Sequence, residues 1–224
     1  MGYDSTIQFT LDTICPWTYL AKRRLDRALS QIPDDAPVNF TVRYMPYQLY
    51  PEAPQAGEDK FEWYKRSKYG GSEEKMNMYT TVMSGYGEQE GIRFRFGGTV
   101  ANTMPAHRLI HHFQEHGGPR TAEAILSSLY RQYFEEERHP SSDETLLRAA
   151  TDAGIAQDEA RAFIEDREEG LMEVRMLMRE QASNQIDAVP HIVIEGKRRD
   201  VQLEGAKGVG EYASVLNQII KESV

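Results

Sequence analysis

The chain of 224 residues contains a single cysteine, Cys15, and this scarcity limits its chemistry. One thiol cannot close an intrachain disulfide, so the pattern of a disulfide-rich secreted domain is excluded and a reducing cytoplasm is the expected location. The N-terminal segment 1–5 has neither the basic nor the apolar stretch of a signal peptide, which supports the same expectation.

Long apolar runs and an excess of positive charge are also missing. No run approaches the roughly 20 apolar residues that span a bilayer, so we expect no membrane partner. The chain has 26 Lys and Arg against 35 Asp and Glu, a net charge of −9, which argues against a nucleic-acid partner. A glycine-rich phosphate loop, a serine-elbow motif and internal repeats are absent as well. The composition is otherwise that of a globular protein.

The N-terminal region has the pattern of a β-α-β unit. Alternating apolar and polar residues over 6–11 predict a strand, and residues 38–44 predict a second one. Between them Pro16 suits the first turn of a helix, and the stretch 33–37 ends that helix. A crossover of this kind makes the two strands parallel. The apolar face of the helix includes Trp17, and the basic positions 22–24 and 27 are expected in solvent.

The middle of the chain changes character, because helical patterns replace the strand signals. The C-terminal part then returns to a helix, a strand at 191–194, a turn, a short strand at 199–203 and a final helix opening at 205 or 207. We therefore predict an α/β fold in which residues 1–57 and 171–224 form one discontinuous domain. Residues 58–170 form an inserted helical domain that acts as a lid.

Cys15 lies where the first strand ends and the first helix begins, a place that favours a reactive thiol. The free amides of the first helical turn and the positive end of the helix dipole both stabilise a thiolate. Turns between a strand and a helix are usually exposed. The competing interpretation is an inert, buried cysteine that packs as a small hydrophobic residue.

Three further polar residues are candidates for the site. His107, in a helix that begins near Thr103, could serve as an acid–base group or a substrate contact, or lie hydrogen-bonded at a domain interface. Asn102 most simply caps that helix, and His191 follows Pro190 at the start of a strand. Histidine pairs at i, i+4 on the same helix lack an evident third ligand, so we expect no metal.

The order of these elements, together with several short motifs, resembles the DsbA-like thioredoxin-fold family. The similarity is greatest to its FrnE-like branch, which is related to kappa-class glutathione transferases and 2-hydroxychromene-2-carboxylate isomerases. The motifs that carry the resemblance span nearly the whole chain: Asp12–Trp17, Met45–Pro51, Asn102–Leu109, Tyr133–Phe134, Ala188–Ile194 and Glu204–Lys207. The resemblance implies a thioredoxin-like fold with a large inserted α-helical domain.

The resemblance also implies a substrate and thiol-binding site. In such a fold a cis Val189–Pro190 bond packs against the Cys15 turn, formed with Pro16 and Trp17, and Val189 pairs with an extended peptide or glutathione. The start of the last helix, at Gly205 and Ala206, would hold a carboxylate. Glu204 departs from the small hydroxyl residue common there, and its charge opposes the binding of glutathione. Kappa-like relatives imply a homodimer.

Thr18 is the departure with the largest chemical consequence, because the FrnE-like pattern is Cys-Pro-Trp-Cys and this chain has Cys-Pro-Trp-Thr. Without a second thiol, the chain cannot resolve a mixed disulfide internally. Cys15 could act as a monothiol resolved by glutathione, or attack an electrophilic metabolite directly. The site could also hold glutathione for an isomerase or transferase reaction, with the Thr18 hydroxyl as donor to a thiolate.

We therefore expect a thiol-dependent enzyme that acts on a small organic substrate. Cys15, Thr18 and His107 are its predicted catalytic residues, and glutathione is the cofactor that the resemblance suggests. The alternative is a binding or scaffold protein with a thioredoxin fold that lost its redox activity with the second cysteine.

Overall fold

A computed structural model describes residues 2–223 of the chain. Its elements, in chain order, are β1 (Tyr3–Leu11), α1 (Pro16–Leu29), β2 (Val38–Pro46), β3 (Glu58–Asp59), α2 (Lys60–Tyr69), α3 (Glu73–Gln89), β4 (Thr99–Val100), α4 (Met104–Gly117), α5 (Pro119–Phe134), α6 (Asp143–Asp152), α7 (Gln157–Glu165), α8 (Leu171–Ser183), β5 (His191–Ile194), β6 (Val201–Glu204) and α9 (Val209–Ser223).

The chain divides into two compact units. The first comprises Met1–Tyr47 and Met176–Val224, and the second comprises Gln48–Arg175. The loop after β2, predicted to belong to the first domain, is bonded within the second unit. Asn102 Nδ2 donates to the carbonyl oxygen of Pro51 at 2.7 Å, and Gln55 Nε2 donates to Ser141 Oγ at 3.1 Å. These bonds explain why the chain divides before this loop, at Tyr47, and not after residue 57.

A mixed four-stranded sheet with the order β2-β1-β5-β6 forms the centre of the first unit. β1 pairs with β2 in parallel, as the β-α-β pattern predicted, and β5 and β6 are antiparallel to their neighbours. Ser5, Ile7, Phe9 and Leu11, which share one face of β1, are buried, and so is Thr10 on its opposite face. The central strand is therefore covered on both faces, and its predicted end at Leu11 places the following turn at the sheet edge.

Helix α1 forms because Pro16 pre-sets the first turn and the apolar positions recur on one face. Leu20, Ala21 and Leu25 on that face are buried, but Trp17, predicted to join them, is 38% exposed. Lys22 was expected in solvent and is instead buried, because its Nζ lies 2.6 Å from Asp26 Oδ2 one turn further on. An ion pair of this kind removes most of the cost of burying the ammonium.

The second unit is helical apart from the pair β3 and β4, which align Glu58 with Val100 and which the sequence analysis did not predict. Its core includes the apolar faces of α4 and α5, with Leu109, Ile125 and Leu126 buried. Within residues 2–223 no helix is both long enough and apolar enough to cross a membrane.

Candidate active site around Cys15

Cys15 is the N-cap residue of α1, with extended backbone angles of φ −90° and ψ 115°. Its amide donates to the carbonyl oxygen of Asp12 at 3.1 Å, which closes the turn between β1 and α1. Its own carbonyl oxygen accepts from the amides of Thr18 and Tyr19, the first bonds of the helix. The local sequence therefore fixes the cysteine at the helix start, as predicted.

The environment of the thiol differs from the prediction. Cys15 is only 4% exposed, so the expectation of an exposed turn is wrong. The net effect of its surroundings raises the pKa of the thiol to about 11, and burial is the largest cause, with the charge of Asp12 raising the pKa to a smaller extent. The amides of Thr18 and Trp17 and the Thr18 hydroxyl favour the thiolate and lower the pKa. Because the desolvation of the thiolate outweighs these donors, the resting group is a neutral thiol and not the predicted thiolate.

Thr18 is buried one helical turn after Cys15, and its hydroxyl is engaged with the backbone of the turn. Thr18 Oγ1 donates to the carbonyl oxygens of Asp12 at 2.9 Å and Cys15 at 2.7 Å. A hydroxyl has one hydrogen, so these two acceptors share it. Thr18 therefore holds the turn in place, and its predicted part in catalysis stays a prediction.

Val189 contacts the thiol directly across 174 residues of sequence. The Cys15 thiol donates a weak hydrogen bond to the Val189 carbonyl oxygen, with Sγ and O 3.8 Å apart, and the Val189–Pro190 peptide bond is cis. Val189 is half-buried, and its amide donates to no acceptor within residues 2–223. An unpaired amide beside a thiol is suited to receive a ligand carbonyl.

The loop before Val189 has an anchor that the sequence analysis missed. Tyr47 Oη donates to the carbonyl oxygen of Asp187 at 2.8 Å, and the Tyr47 amide donates to the carbonyl oxygen of Leu11 at 2.9 Å. Tyr47 thus ties the loop 187–190 to the strand end that leads to Cys15. Its position directly after the Met-Pro pair that ends β2 was the available signal.

His191 begins β5, opposite Thr10 of β1 and Glu204 of β6. Its side chain is buried, and its Nδ1 atom has no hydrogen-bond partner among residues 2–223. No hydrogen bond joins its ring to Cys15. The assignment of His191 to the substrate-binding site stays a prediction.

Gly205 and Ala206 do not form the start of the last helix. α9 begins at Val209, because the amide of Gly205 donates to the Pro190 carbonyl oxygen at 2.9 Å and holds this segment against the strand β5. At the true helix start, the Gly208 amide donates to Glu211 Oε2 at 3.0 Å. A carboxylate of the chain itself therefore occupies part of the predicted carboxylate site.

Asn102 and His107 belong to the second unit. Asn102 caps α4: its Oδ1 accepts from the Met104 amide at 2.9 Å and from Gln48 Nε2 at 2.9 Å. Thr103, the N-cap residue itself, makes no side-chain capping bond. His107 is buried in the first turns of α4.

The other histidines of this helix lie near acids, and His112 Nδ1 is 3.6 Å from Glu169 Oε1. No group of three residues that could hold a metal ion occurs within residues 2–223.

Comparison with known proteins identifies the family. Residues 6–217 match the model of the DSBA-like thioredoxin domain, and the chain belongs to this family. No curated protein matches the sequence. The thioredoxin-like α/β fold with its helical insertion is thereby established, in agreement with the resemblance noted in the sequence.

Solved structures extend this result. A "probable DsbA oxidoreductase" from Streptomyces coelicolor is 28% identical, with a TM-score of 0.84 over 98% of this chain and 92% of that one. A 2-hydroxychromene-2-carboxylate isomerase is 13% identical, with a TM-score of 0.69 over 96% of each chain. The cytosolic disulfide reductase DsbM from Pseudomonas aeruginosa is 15% identical, with a TM-score of 0.61 over 96% and 95% of the two chains. The last two share the fold.

Proposed function

We propose that this protein is a thiol-dependent enzyme that acts on a small organic substrate through Cys15 alone. The observation that carries the proposal is the position of the thiol, which is the N-cap of α1 and lies 3.8 Å from the Val189 carbonyl oxygen. Beside it, the unpaired Val189 amide offers a donor to a bound peptide or thiol. Trp17, 38% exposed, adds an apolar surface next to the thiol.

Thr18 determines which reactions such a site can perform. With a hydroxyl where a dithiol enzyme has its second sulfur, the chain stores no internal disulfide. As a monothiol, the Cys15 thiolate attacks a substrate disulfide, forms a new S–S bond and releases one substrate sulfur as a thiolate. A glutathione thiolate then attacks the substrate sulfur of this mixed disulfide, and the Cys15 thiolate leaves. Each exchange breaks one S–S bond and forms one, so electrons balance.

The raised pKa of Cys15 favours a second form of the same proposal. With a pKa of about 11, only about one thiol in ten thousand is ionised at pH 7. A neutral Cys15 can donate a hydrogen bond to the thiolate of a bound glutathione, which then attacks the substrate in an isomerase or transferase reaction. DsbM has been solved with glutathione, at 14% identity and a TM-score of 0.58, and the isomerase has the same fold.

The binding or scaffold alternative is also favoured by a specific observation. Cys15 is 4% exposed and mostly protonated, which is the state of a structural cysteine. Glutathione has an obstacle too, since Glu211 occupies the start of α9 and Glu204 lies exposed nearby. The experiment must therefore separate a nucleophile, a hydrogen-bond donor and an inert side chain.

A pair of matched variants makes this separation. Oxidised glutathione should form a mixed disulfide with Cys15 of the wild-type chain, which mass spectrometry detects, and reduced glutathione should remove it. Cys15→Ser should form no adduct. If Cys15 is instead a donor, calorimetry should show reduced glutathione binding to the wild type and to Cys15→Ser, whose hydroxyl also donates, but more weakly to Cys15→Ala. If no adduct forms and glutathione does not bind, the scaffold alternative is the explanation.

A further inference from the structure

The second unit contains a pocket of about 490 Å³ that the proposed reaction does not use. It lies beside the starts of α4 and α6, and all of its lining residues fall within Gln55–Leu171. Met104, Pro105 and Leu171 supply an apolar wall. A volume of this size is typical of sites for small organic molecules.

Arg108 lines this pocket and carries a buried charge without a direct counter-ion. The residue is 3% exposed. Its Nε and Nη2 atoms donate to the backbone carbonyl oxygens of Glu169 and Asp166 at 2.6–2.8 Å, and Nη1 donates to no group within residues 2–223. Nη1 is not fully enclosed, and Arg108 lines the pocket.

Three acids, Asp166, Glu168 and Glu169, attract the Arg108 charge, but none of them forms an ion pair with it. Asp166 Oδ1 accepts from the amides of Glu168 and Glu169, and Glu169 Oε1 lies 3.6 Å from His112 Nδ1. No carboxylate within residues 2–223 lies within 4 Å of the guanidinium. A buried guanidinium is costly unless it is paired, and here only neutral carbonyls and the Phe163 ring, 5.0 Å from Cζ, contact it.

The other polar groups of the pocket do not cancel this charge. Arg167 and Asp143 pair with each other through two bonds of 2.8 and 2.7 Å. His139 accepts from the Ser141 amide through Nδ1 and donates to the Gln55 carbonyl oxygen through Nε2, and burial lowers its pKa, so it is neutral near pH 7. The lining therefore carries one net positive charge, in a protein whose net charge is −9.

We infer that this pocket binds a small organic carboxylate, whose anionic group bonds to Arg108 Nη1 and whose apolar body lies against Met104, Pro105 and Leu171. A carboxylate is preferred over a neutral ligand because it pairs the buried guanidinium through a charge-assisted hydrogen bond. The pocket and all these contacts belong to the second unit, so the inference does not depend on the chemistry of Cys15.

The test compares an acid with its neutral analogue, titrated into the full chain near pH 7 by calorimetry. 2-Naphthoate should bind at least about 10-fold more tightly than 2-naphthamide, and its affinity should fall as salt is added. Leu171→Trp places a larger side chain in the pocket and leaves the hydrogen bonds of Arg108 in place, so this variant should not bind the acid. Leu147→Trp adds the same side chain at a second hollow of about 240 Å³, which shares only Asp143 with the pocket, and should leave binding unchanged.

The first three outcomes need no Arg108 variant. Replacing Arg108 leaves the carbonyl oxygens of Asp166 and Glu169 without their donor, which could unfold the second unit. Equal affinity for the acid and the amide would exclude the charge contact. Binding that survives Leu171→Trp would place the ligand elsewhere, and no binding of 2-naphthoate at 5 mM would overturn the site altogether. Where Arg108→Gln remains folded by circular dichroism, its affinities for the acid and the amide should become equal.

Discussion

The structure makes its most specific prediction about the pKa of the Cys15 thiol and its effect on the stability of the fold. Burial raises the thiol pKa from 9.0 to about 11, although the amides of Thr18 and Trp17 and the Thr18 hydroxyl lower it. In the unfolded chain these influences vanish. A thiol whose pKa is higher in the folded state stabilises the fold below the unfolded pKa, and this contribution is lost as the pH rises toward 11.

The size of the effect follows from the shift. Between pH 7 and pH 10 the unfolded thiol ionises and the folded one does not, which destabilises the fold by about 1 kcal/mol; the full loss beyond pH 11 is about 3 kcal/mol. Cys15→Ser removes this titration and keeps a small polar side chain. Urea unfolding at several pH values should therefore show the wild type losing stability relative to Cys15→Ser as the pH rises.

Thiolate absorbance in the ultraviolet gives an independent measurement, since Cys15 is the only thiol and Cys15→Ser supplies the blank for tyrosine ionisation. The folded protein should titrate near pH 11 and the urea-unfolded chain near pH 9. A folded-state pKa below 9, or a stability difference from Cys15→Ser that does not change with pH, would refute the argument that desolvation outweighs the helix start.

Three further predictions concern separate features. Thr18→Cys should create the missing dithiol and with it insulin-reducing activity, and a wild type of equal activity would contradict the role given to the single thiol. Lys60 is buried, which lowers its pKa to about 8, so the fold should gain up to about 3 kcal/mol as the pH rises from 8 to 10.5, and this gain should be absent in urea titrations of Lys60→Met. Tyr47→Phe removes the bond to the Asp187 carbonyl oxygen and should cost about 0.5–1.5 kcal/mol in urea unfolding, together with faster alkylation of Cys15; an unchanged alkylation rate would show that this anchor does not restrain the loop.

The elements of the first unit were readable from local patterns. The alternation before Leu11, Pro16 at the helix start and the second strand from Val38 are short-range signals, and each records a backbone preference that holds before the chain folds. The start of α9 was misplaced by several residues, because the Gly205 amide donates to Pro190, the residue before β5, and no local pattern reveals this contact.

The candidate site shows the same division. The sequence by itself determined that a single thiol stands at a helix start, that a hydroxyl follows where a dithiol has its second sulfur, and that the chain cannot form an internal disulfide. Only the tertiary structure decided that Cys15 is buried beside Val189, and that the pKa of its thiol is higher than that of a thiol in water. The tertiary structure also decided that Arg108 is buried and bonded to backbone carbonyl oxygens, with no carboxylate in an ion pair with it. The physical reason is that desolvation depends on atoms brought together from distant parts of the chain, whereas covalent chemistry and helix starts are local.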